Sequence, residues 1–512
     1  MVDDGRWTMD DFNIQPSTFN PQPLIINQIC LTPHFWVLLH KFHQDKIQKM
    51  KEVSSNRELL SSRLGFILVA AGCAIGIGNV WKFPYITGMS GGGIFVLIYF
   101  IFLLLLGIPI LCMELGVGRA SRLSPIKAFK SLEPEGTKWH LQGWVSLIGC
   151  YLLMMFYTTV AGWMLHYIYS TANGTFAGEM PSGYVGEQFN SLLNDPATMC
   201  MWMVIVVMLG CVTVGYGLIK GLERISKTLM LILLAIMVVL AINSVSLNNG
   251  SAGLEFYLVP NLDRMRQVGI FNVIYNAMSH AFFTLSIGIG SMAIFGSYMK
   301  KTNTILKEGI TIALLDTAVA LVAGLIIFPA CFAYKIEPNA GPGLLFVTLP
   351  EVFNRMPWGQ FWGAMFFIFM SFASLSTVFA VFENIITCCS EQFGWTRKRS
   401  AFYNFFIITV LSVPCVLGFS EWTWNWLKIF GGTILDFEDF IVSYCALPLG
   451  GMVFCIFCTS RYGWGIKGFY EEANTGDGAQ FKPWMRGYLT YILPLIVLAV
   501  FVLGICDKFG MI

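Results

Sequence analysis

Gly72-Cys73-Ala74-Ile75-Gly76-Ile77-Gly78-Asn79 interrupts an apolar segment that is otherwise long enough to cross a bilayer. Glycine at this density weakens a helix, by roughly 1 kcal/mol per residue relative to alanine. In hydrocarbon a broken helix is tolerated only where its freed N–H and C=O groups meet protein, bound ions or water. The interruption therefore marks a ligand site. A second one, Thr284-Leu285-Ser286-Ile287-Gly288-Ile289-Gly290, repeats Ile-Gly-Ile-Gly several apolar segments later. Interruptions at matching places in two halves of a chain are the pattern of a secondary transporter.

The composition agrees. Of 512 residues, 56% are hydrophobic and 12% charged, and the mean hydropathy is +0.66, which excludes a soluble globular protein. About eleven apolar stretches between Leu64 and Cys506 are long enough to span as helices, and too long for barrel strands. Loops alternate in charge. Arg119, Arg122, Lys127 and Lys130 follow the second span, Lys220, Arg224 and Lys227 the fourth, and Lys300 and Lys301 the sixth. Arg397, Lys398 and Arg399 follow the eighth span and Arg461 and Lys467 the tenth, whereas 172–195 contains no Lys or Arg. The positive-inside rule then puts the N-terminus in the cytoplasm, and an odd number of spans puts the tail from Asp507 outside. A net charge of +2 gives no reason to expect a nucleic-acid partner. The lipid bilayer is the expected surrounding.

Residues 1–49 differ from the rest, being polar and carrying Pro16, Pro21, Pro23 and Pro33 without a spanning run or a signal peptide's apolar core. They are expected to be an extension, disordered or a product of start-codon choice, ahead of a transporter domain over 50–512. The 14 cysteines are scattered through apolar runs and suggest small buried hydrophobes rather than a disulfide framework. Cys455 and Cys458 form a C-x-x-C inside the tenth span with no second pair or histidine nearby. No Ser/His pair, paired catalytic Asp or metal cluster marks an enzyme.

Around the first interruption the chain offers carbonyls at Gly72, Ala74 and Ile75, amides at Ile77 and Gly78, and the Asn79 side chain. Oxygen-only ligation suits a hard cation, and exposed amides suit a carboxylate. A glycine-rich helix-packing face is the alternative, and the matching second interruption weighs against it.

Arg63-Leu64-Gly65 through Trp81-Lys82-Phe83-Pro84-Tyr85, then Gly91-Gly92-Gly93, resembles the neurotransmitter:sodium symporter family, particularly its bacterial eleven-helix branch. Lys220-Gly221-Leu222-Glu223-Arg224, Phe282-Phe283-Thr284-Leu285-Ser286 and Leu435-Asp436 through Asp439-Phe440 extend the resemblance from about Arg57 to the C-terminus. Broken spans are characteristic of that family, so the two signals are not independent.

The resemblance implies an all-α polytopic membrane protein of the leucine-transporter-like fold. Its five-plus-five inverted repeat would cover about 57–246 and 269–459, with helix eleven over about 484–506 outside it. It also implies two sodium sites. One would use Ala74, Asn79, Thr284 and Asp316 and be completed by the substrate carboxylate. The other would use carbonyls of Gly72, Ile75 and Ala373 with the hydroxyls of Ser376 and Thr377. The implied substrate pocket comprises Cys73, Ala74, Ile77, Gly78, Leu153, Tyr157, Phe283, Thr284, Ser286, Ile289, Thr377 and Val381. Lys82 and Asp439 match an outer gate, and Arg57 and Glu391 with Tyr298 an inner one.

Two departures refine these expectations. One bacterial member of the family, the leucine transporter, has Asn where this chain has Asp316 and Glu where it has Ala320, while animal members hold a chloride nearby. A permanent carboxylate at Asp316 can supply that charge, so chloride-independent transport is expected. Amine transporters place an acid near Cys73, and none of Gly72 to Asn79 is acidic, so the substrate should bring its own carboxylate. The expected activity is sodium-coupled import of a neutral, hydrophobic amino acid through the cytoplasmic membrane. An amino-acid-gated sensor or ion pathway on the same scaffold is the alternative, and a homodimer is left open. Glu114 is expected to hold the broken sixth span, His280 to be a satisfied core histidine, and Glu383 has no partner evident from sequence.

Overall fold

Residues 57–181, 183–248, 250–335 and 343–509 are described by a computed structural model. The extension expected over 1–49 lies outside them. Among the described residues there is no β-strand, and nine continuous helices are long and apolar enough to cross a membrane. These are α2 (Gly93–Ser121), α3 (His140–Ala172), α4 (Pro196–Gly215), α5 (Leu218–Val245), α7 (Ile305–Ala333), α8 (Gly359–Phe393), α9 (Arg397–Leu417), α10 (Ile434–Thr459) and α11 (Met485–Lys508). The remaining two spans are broken. In α1, Arg63–Ala74 and Gly78–Met89 meet at a 57° bend, and in α6, Ile270–Thr284 is separated from Ser291–Tyr298. Counting the bent α1 as one span gives ten helices long and apolar enough to cross among the described residues, against about eleven expected from the hydrophobic runs; α6, with six residues between its halves, is the further interrupted segment.

The resemblance makes α1–α5 and α6–α10 the two halves of an inverted repeat. α3 packs along α8 and α4 along α9, so corresponding members of the two halves lie side by side. α8 is central, with 83% of its apolar window buried, whereas the same figure for α5 and α11 is 28%, which puts them at the lipid-facing rim. On the inner side of α6 the packing is backbone to backbone. A methyl on Gly118 would run into the Ala293 carbonyl, and one on Gly296 into the Leu115 carbonyl. Close approach through small residues is how helices associate where lipid removes the hydrophobic drive.

Local chemistry fixes the ends of the spans that position the site. Ser62 caps α1 by accepting from the Gly65 N–H at 3.0 Å, and Thr433 and Asp436 form a reciprocal capping box at the start of α10. α8 and α9 are joined at Gly394, whose φ of 67° favours glycine, so Arg397 falls back toward α8. Between α7 and α8, Leu344–Thr348 and Leu349–Arg355 bury Leu344, Leu345 and Phe346 against the protein. The Tyr167 hydroxyl donates to the Phe346 carbonyl at 3.0 Å, as the cost of an open apolar loop requires.

Candidate functional site

The two breaks face each other. α1 stops being helical at Ile75, which has extended backbone, and α6 turns through Ser286 (φ 50°), Gly288 (φ 104°) and Gly290 (φ 71°). Ser286 is the strained member, since a non-glycine residue at positive φ persists only where its surroundings impose it. Its hydroxyl donates to the Cys73 carbonyl at 3.4 Å and ties one break to the other. Glu114 of α2 accepts from the Gly288 N–H and, at 3.2 Å, from the Met292 N–H. This carboxyl satisfies backbone donors that the broken α6 leaves without helical partners.

Two oxygen clusters flank the first break. In one, the Ser376 hydroxyl lies 3.1 Å from the Ile75 carbonyl and 2.8 Å from that of Ala373, and the Thr377 hydroxyl lies 3.3 Å from Gly72 O and 3.2 Å from Ile75 O. Three carbonyls and two hydroxyls thus converge with no nitrogen or sulfur among them. In the other, the Asn79 amide donates to Asp316 Oδ1 at 2.8 Å and to Thr284 Oγ1 at 3.2 Å, and Thr284 donates to Asp316 Oδ2 at 2.9 Å. Asn79 Oδ1 accepts from the Gly76 N–H at 3.2 Å. Asp316 is completely buried, and no lysine or arginine pairs with it among the described residues. Such a charge is costly in a low-dielectric interior without a counter-ion.

Between the clusters lies a cavity lined by Ala74, Gly76, Gly78, Leu153, Tyr157, Phe283, Thr284, Ser286, Ile289, Thr377, Val442 and Leu447. The Tyr157 hydroxyl accepts from the Ile77 N–H at 3.0 Å. Three residues expected in the wall stand behind it. Cys73 is still on the helical part of α1, its thiol next to Cys150 and Ser291. Ile77 contributes its N–H to Tyr157, and Val381 is fully buried within α8. Gly76, and Val442 and Leu447 of α10, take their places. A Val or Leu in an apolar span carries no sequence signal of its own.

Both ends of this path are closed. At one end, Lys82 Nζ lies 3.3 Å from Asp439 Oδ2 and 3.9 Å from the centre of the Phe283 ring, so the ion pair rests on the ring that roofs the cavity. At the other end, Arg57 pairs with Glu391, donates to Ser297 Oγ at 2.8 Å, and stands 4.6 Å over the Tyr298 ring. Burial opposes the Arg57 charge, but Tyr298 and Glu391 outweigh it and hold the guanidinium above its ordinary value. Glu391 also accepts from the Ser124 N–H at 3.0 Å and from its hydroxyl at 2.6 Å. Glu383 has the partners that the sequence did not reveal. It is fully buried, and it accepts from Arg397 of α9, from the Tyr298 hydroxyl at 2.5 Å and from the Thr387 hydroxyl at 2.9 Å. His280 is a core residue but not a hydrogen-bonded one. Its ring nitrogens have no partner among the described residues, and Phe83, Phe95 and Tyr99 surround it with ring centres 5.5, 6.3 and 5.6 Å away.

Comparison with known proteins places this geometry. The model of the sodium:neurotransmitter symporter family matches residues 57–192 and 184–509. The sodium-dependent transporter YhdH of Bacillus subtilis is 34% identical over 86% of this chain and 96% of its own length. A sodium-dependent transporter of Haemophilus influenzae is 31% identical over 88% of this chain and 98% of its own. Among solved structures, MhsT in complex with L-phenylalanine superposes with a TM-score of 0.77 at 35% identity, covering 88% of this chain and all of that one.

Proposed function

The chain belongs to the sodium:neurotransmitter symporter family, and on that premise we propose that it imports a neutral, hydrophobic amino acid through the cytoplasmic membrane, driven by sodium. It is a multi-pass, sodium-dependent transporter and not an enzyme. The observation that carries the amino-acid reading is the cavity itself. Carbonyl and hydroxyl oxygens gather on one side of the first break, an acid with no cationic partner lies on the other, and the wall between is apolar with no charged group in it. The L-phenylalanine bound by MhsT supports the same substrate class.

In this reading one sodium replaces the hydrogen bonds that Ser376 and Thr377 make to the carbonyls of Gly72, Ile75 and Ala373. A second sits among Ala74, Asn79, Thr284 and Asp316 and touches the substrate carboxylate, which Tyr157 and the amides of the first break orient. Each ligand then supplies part of the other's site, so each raises the other's affinity by the same factor. Asp316 supplies a fixed negative charge, which makes transport independent of chloride. Phe283 with Lys82 and Asp439 closes the outer end, and Arg57, Tyr298 and Glu391 close the inner end, with the N-terminus cytoplasmic and the C-terminus outside. Sodium entry contributes about 2.3 kcal/mol per charge per 100 mV of membrane potential.

The test is uptake of labelled amino acids into proteoliposomes under an inward sodium gradient, against an equal potassium gradient. Accumulation with sodium alone supports the symporter and identifies the substrate by which label enters. Sodium-dependent binding without accumulation supports the sensor or ion-pathway alternative.

A further inference from the structure

Within this reading of the site, one position outside the cavity wall decides how large a side chain the cavity takes. Leu153 and Tyr157 lie on the same face of α3, four residues apart, and the next position on that face is Gly149. Tyr157 stands at the α1 break, Leu153 lines the middle of the cavity, and Gly149 faces Ile289 at the other end of the stripe. Gly149 lies within α3 at an ordinary helical φ, so no backbone conformation calls for glycine there. Glycine inside a helix is otherwise a cost.

Space explains it. A methyl built on Gly149 would stand 2.9 Å from Ile289 Cγ2 and 3.7 Å from Ile289 Cβ, and 4.0 Å from the Cβ of Ala446 in α10. The branched side chain of Ile289 therefore lies against the space that a side chain at position 149 would fill. Its backbone cannot give way easily, because the Ile289 carbonyl is held by the Cys150 thiol at 3.5 Å and the Asn384 amide at 3.5 Å. On the other side, a Cβ on the neighbouring Gly288 would stand 2.9 Å from the Leu447 carbonyl carbon. An extra methyl at position 149 can be accommodated only by moving the Ile289 side chain, and the open side is the cavity.

We propose that Gly149 is a specificity-determining, positioning residue. By letting Ile289 lie back against α3, it leaves room for the side chain of a large hydrophobic amino acid, of aromatic size, in preference to a small one. It acts through Ile289 and does not touch the substrate.

The experiment is competition binding in sodium with L-alanine, L-leucine, L-phenylalanine and L-tryptophan, on the full chain, Gly149→Ala, Ile289→Ala and Gly149→Ala/Ile289→Ala. The native chain should favour L-phenylalanine over L-alanine. Gly149→Ala should lower that ratio on the order of tenfold, the scale on which one methylene is discriminated in an apolar pocket, with L-leucine affected less. Ile289→Ala, which needs no new space, should shift preference toward L-tryptophan. The double variant should match Ile289→Ala, because the methyl at 149 then meets no branch. A general structural role for Gly149 would lower all affinities together and would persist in the double variant, and either result overturns the proposal. So does an Ile289→Ala chain whose preferences do not move, which keeps the test decisive if Gly149→Ala fails to fold. If the native chain binds no amino acid in sodium, the reading of the site fails, and this inference with it. If it binds them and only the ratios stay fixed, the inference alone fails.

Discussion

Arg397→Ala should destabilise the protein through a residue that it leaves untouched. Glu383 is fully buried in α8, and both of its oxygens are engaged, by Arg397, by the Tyr298 hydroxyl and by the Thr387 hydroxyl. Removing the guanidinium leaves a buried carboxylate with two hydroxyl donors and no ion-pair partner, Arg57 acting on it only from across the Tyr298 ring. Breaking a buried pair from one side costs about 3–5 kcal/mol. The two remaining hydrogen bonds put this case near the lower end, about 3 kcal/mol, or roughly a hundredfold in an equilibrium constant. Glu383→Gln removes the charge instead of its partner, so the Arg397→Ala/Glu383→Gln chain no longer buries an unpaired ion. Apparent Tm of the four purified proteins, taken at one scan rate because membrane proteins of this size unfold irreversibly, should therefore fall furthest for Arg397→Ala and recover in the double variant. The same order should hold for inner-gate closure, because Tyr298 is shared by Glu383 and Arg57. An Arg397→Ala protein that melts with the native chain, or a double variant that melts below it, would refute the reasoning.

Four other outcomes are expected. Replacing chloride by gluconate should leave uptake unchanged, and Asp316→Asn should abolish or strongly weaken sodium-dependent binding; chloride-dependent uptake by the native chain would sink the assignment of charge to Asp316. Ser376→Ala and Thr377→Val each remove one oxygen from the carbonyl cluster, and each should raise the sodium concentration for half-maximal binding by roughly tenfold, the scale of one polar contact to a charge. Lys82→Ala breaks a part-exposed pair of a kind worth about 0–1 kcal/mol, so bound substrate should dissociate no more than about fivefold faster, as read by dilution of label, and a larger effect would mean that the gate does more than latch. Glu438 is buried in α10 with the weakly donating Cys415 thiol as its polar neighbour, so Glu438→Gln should leave the apparent Tm unchanged or raise it; a marked fall would mean that the carboxylate is held by more than the thiol.

The breaks were legible because glycine at such density in an apolar run has few other uses, and the spans because hydrophobic length and loop charge repeat in step. What neither the residues nor the resemblance offered was the partner of Glu383 and the part that α10 plays in the cavity wall. Glu383 and Arg397 are fourteen residues apart, too far to be neighbours on one helix. They meet because the chain reverses at Gly394. Val442 and Leu447 reach the cavity because α10 winds loosely over Phe440–Ala446 and packs against the second break at Gly288, and neither feature leaves a compositional trace. The resemblance implies a place for Cys73 in the wall. The helix runs one residue further before it opens, which carries its thiol toward Cys150.

Sodium and amino acid are held to share one site, and reciprocal linkage tests this most directly. Equilibrium binding of labelled L-phenylalanine or L-leucine to the purified protein, titrated at several sodium concentrations with potassium holding ionic strength constant, should show affinity rising with sodium. Sodium affinity should rise with amino acid by the same factor. Equal amino-acid affinity in sodium and in potassium would contradict the shared site, whatever the uptake assays show.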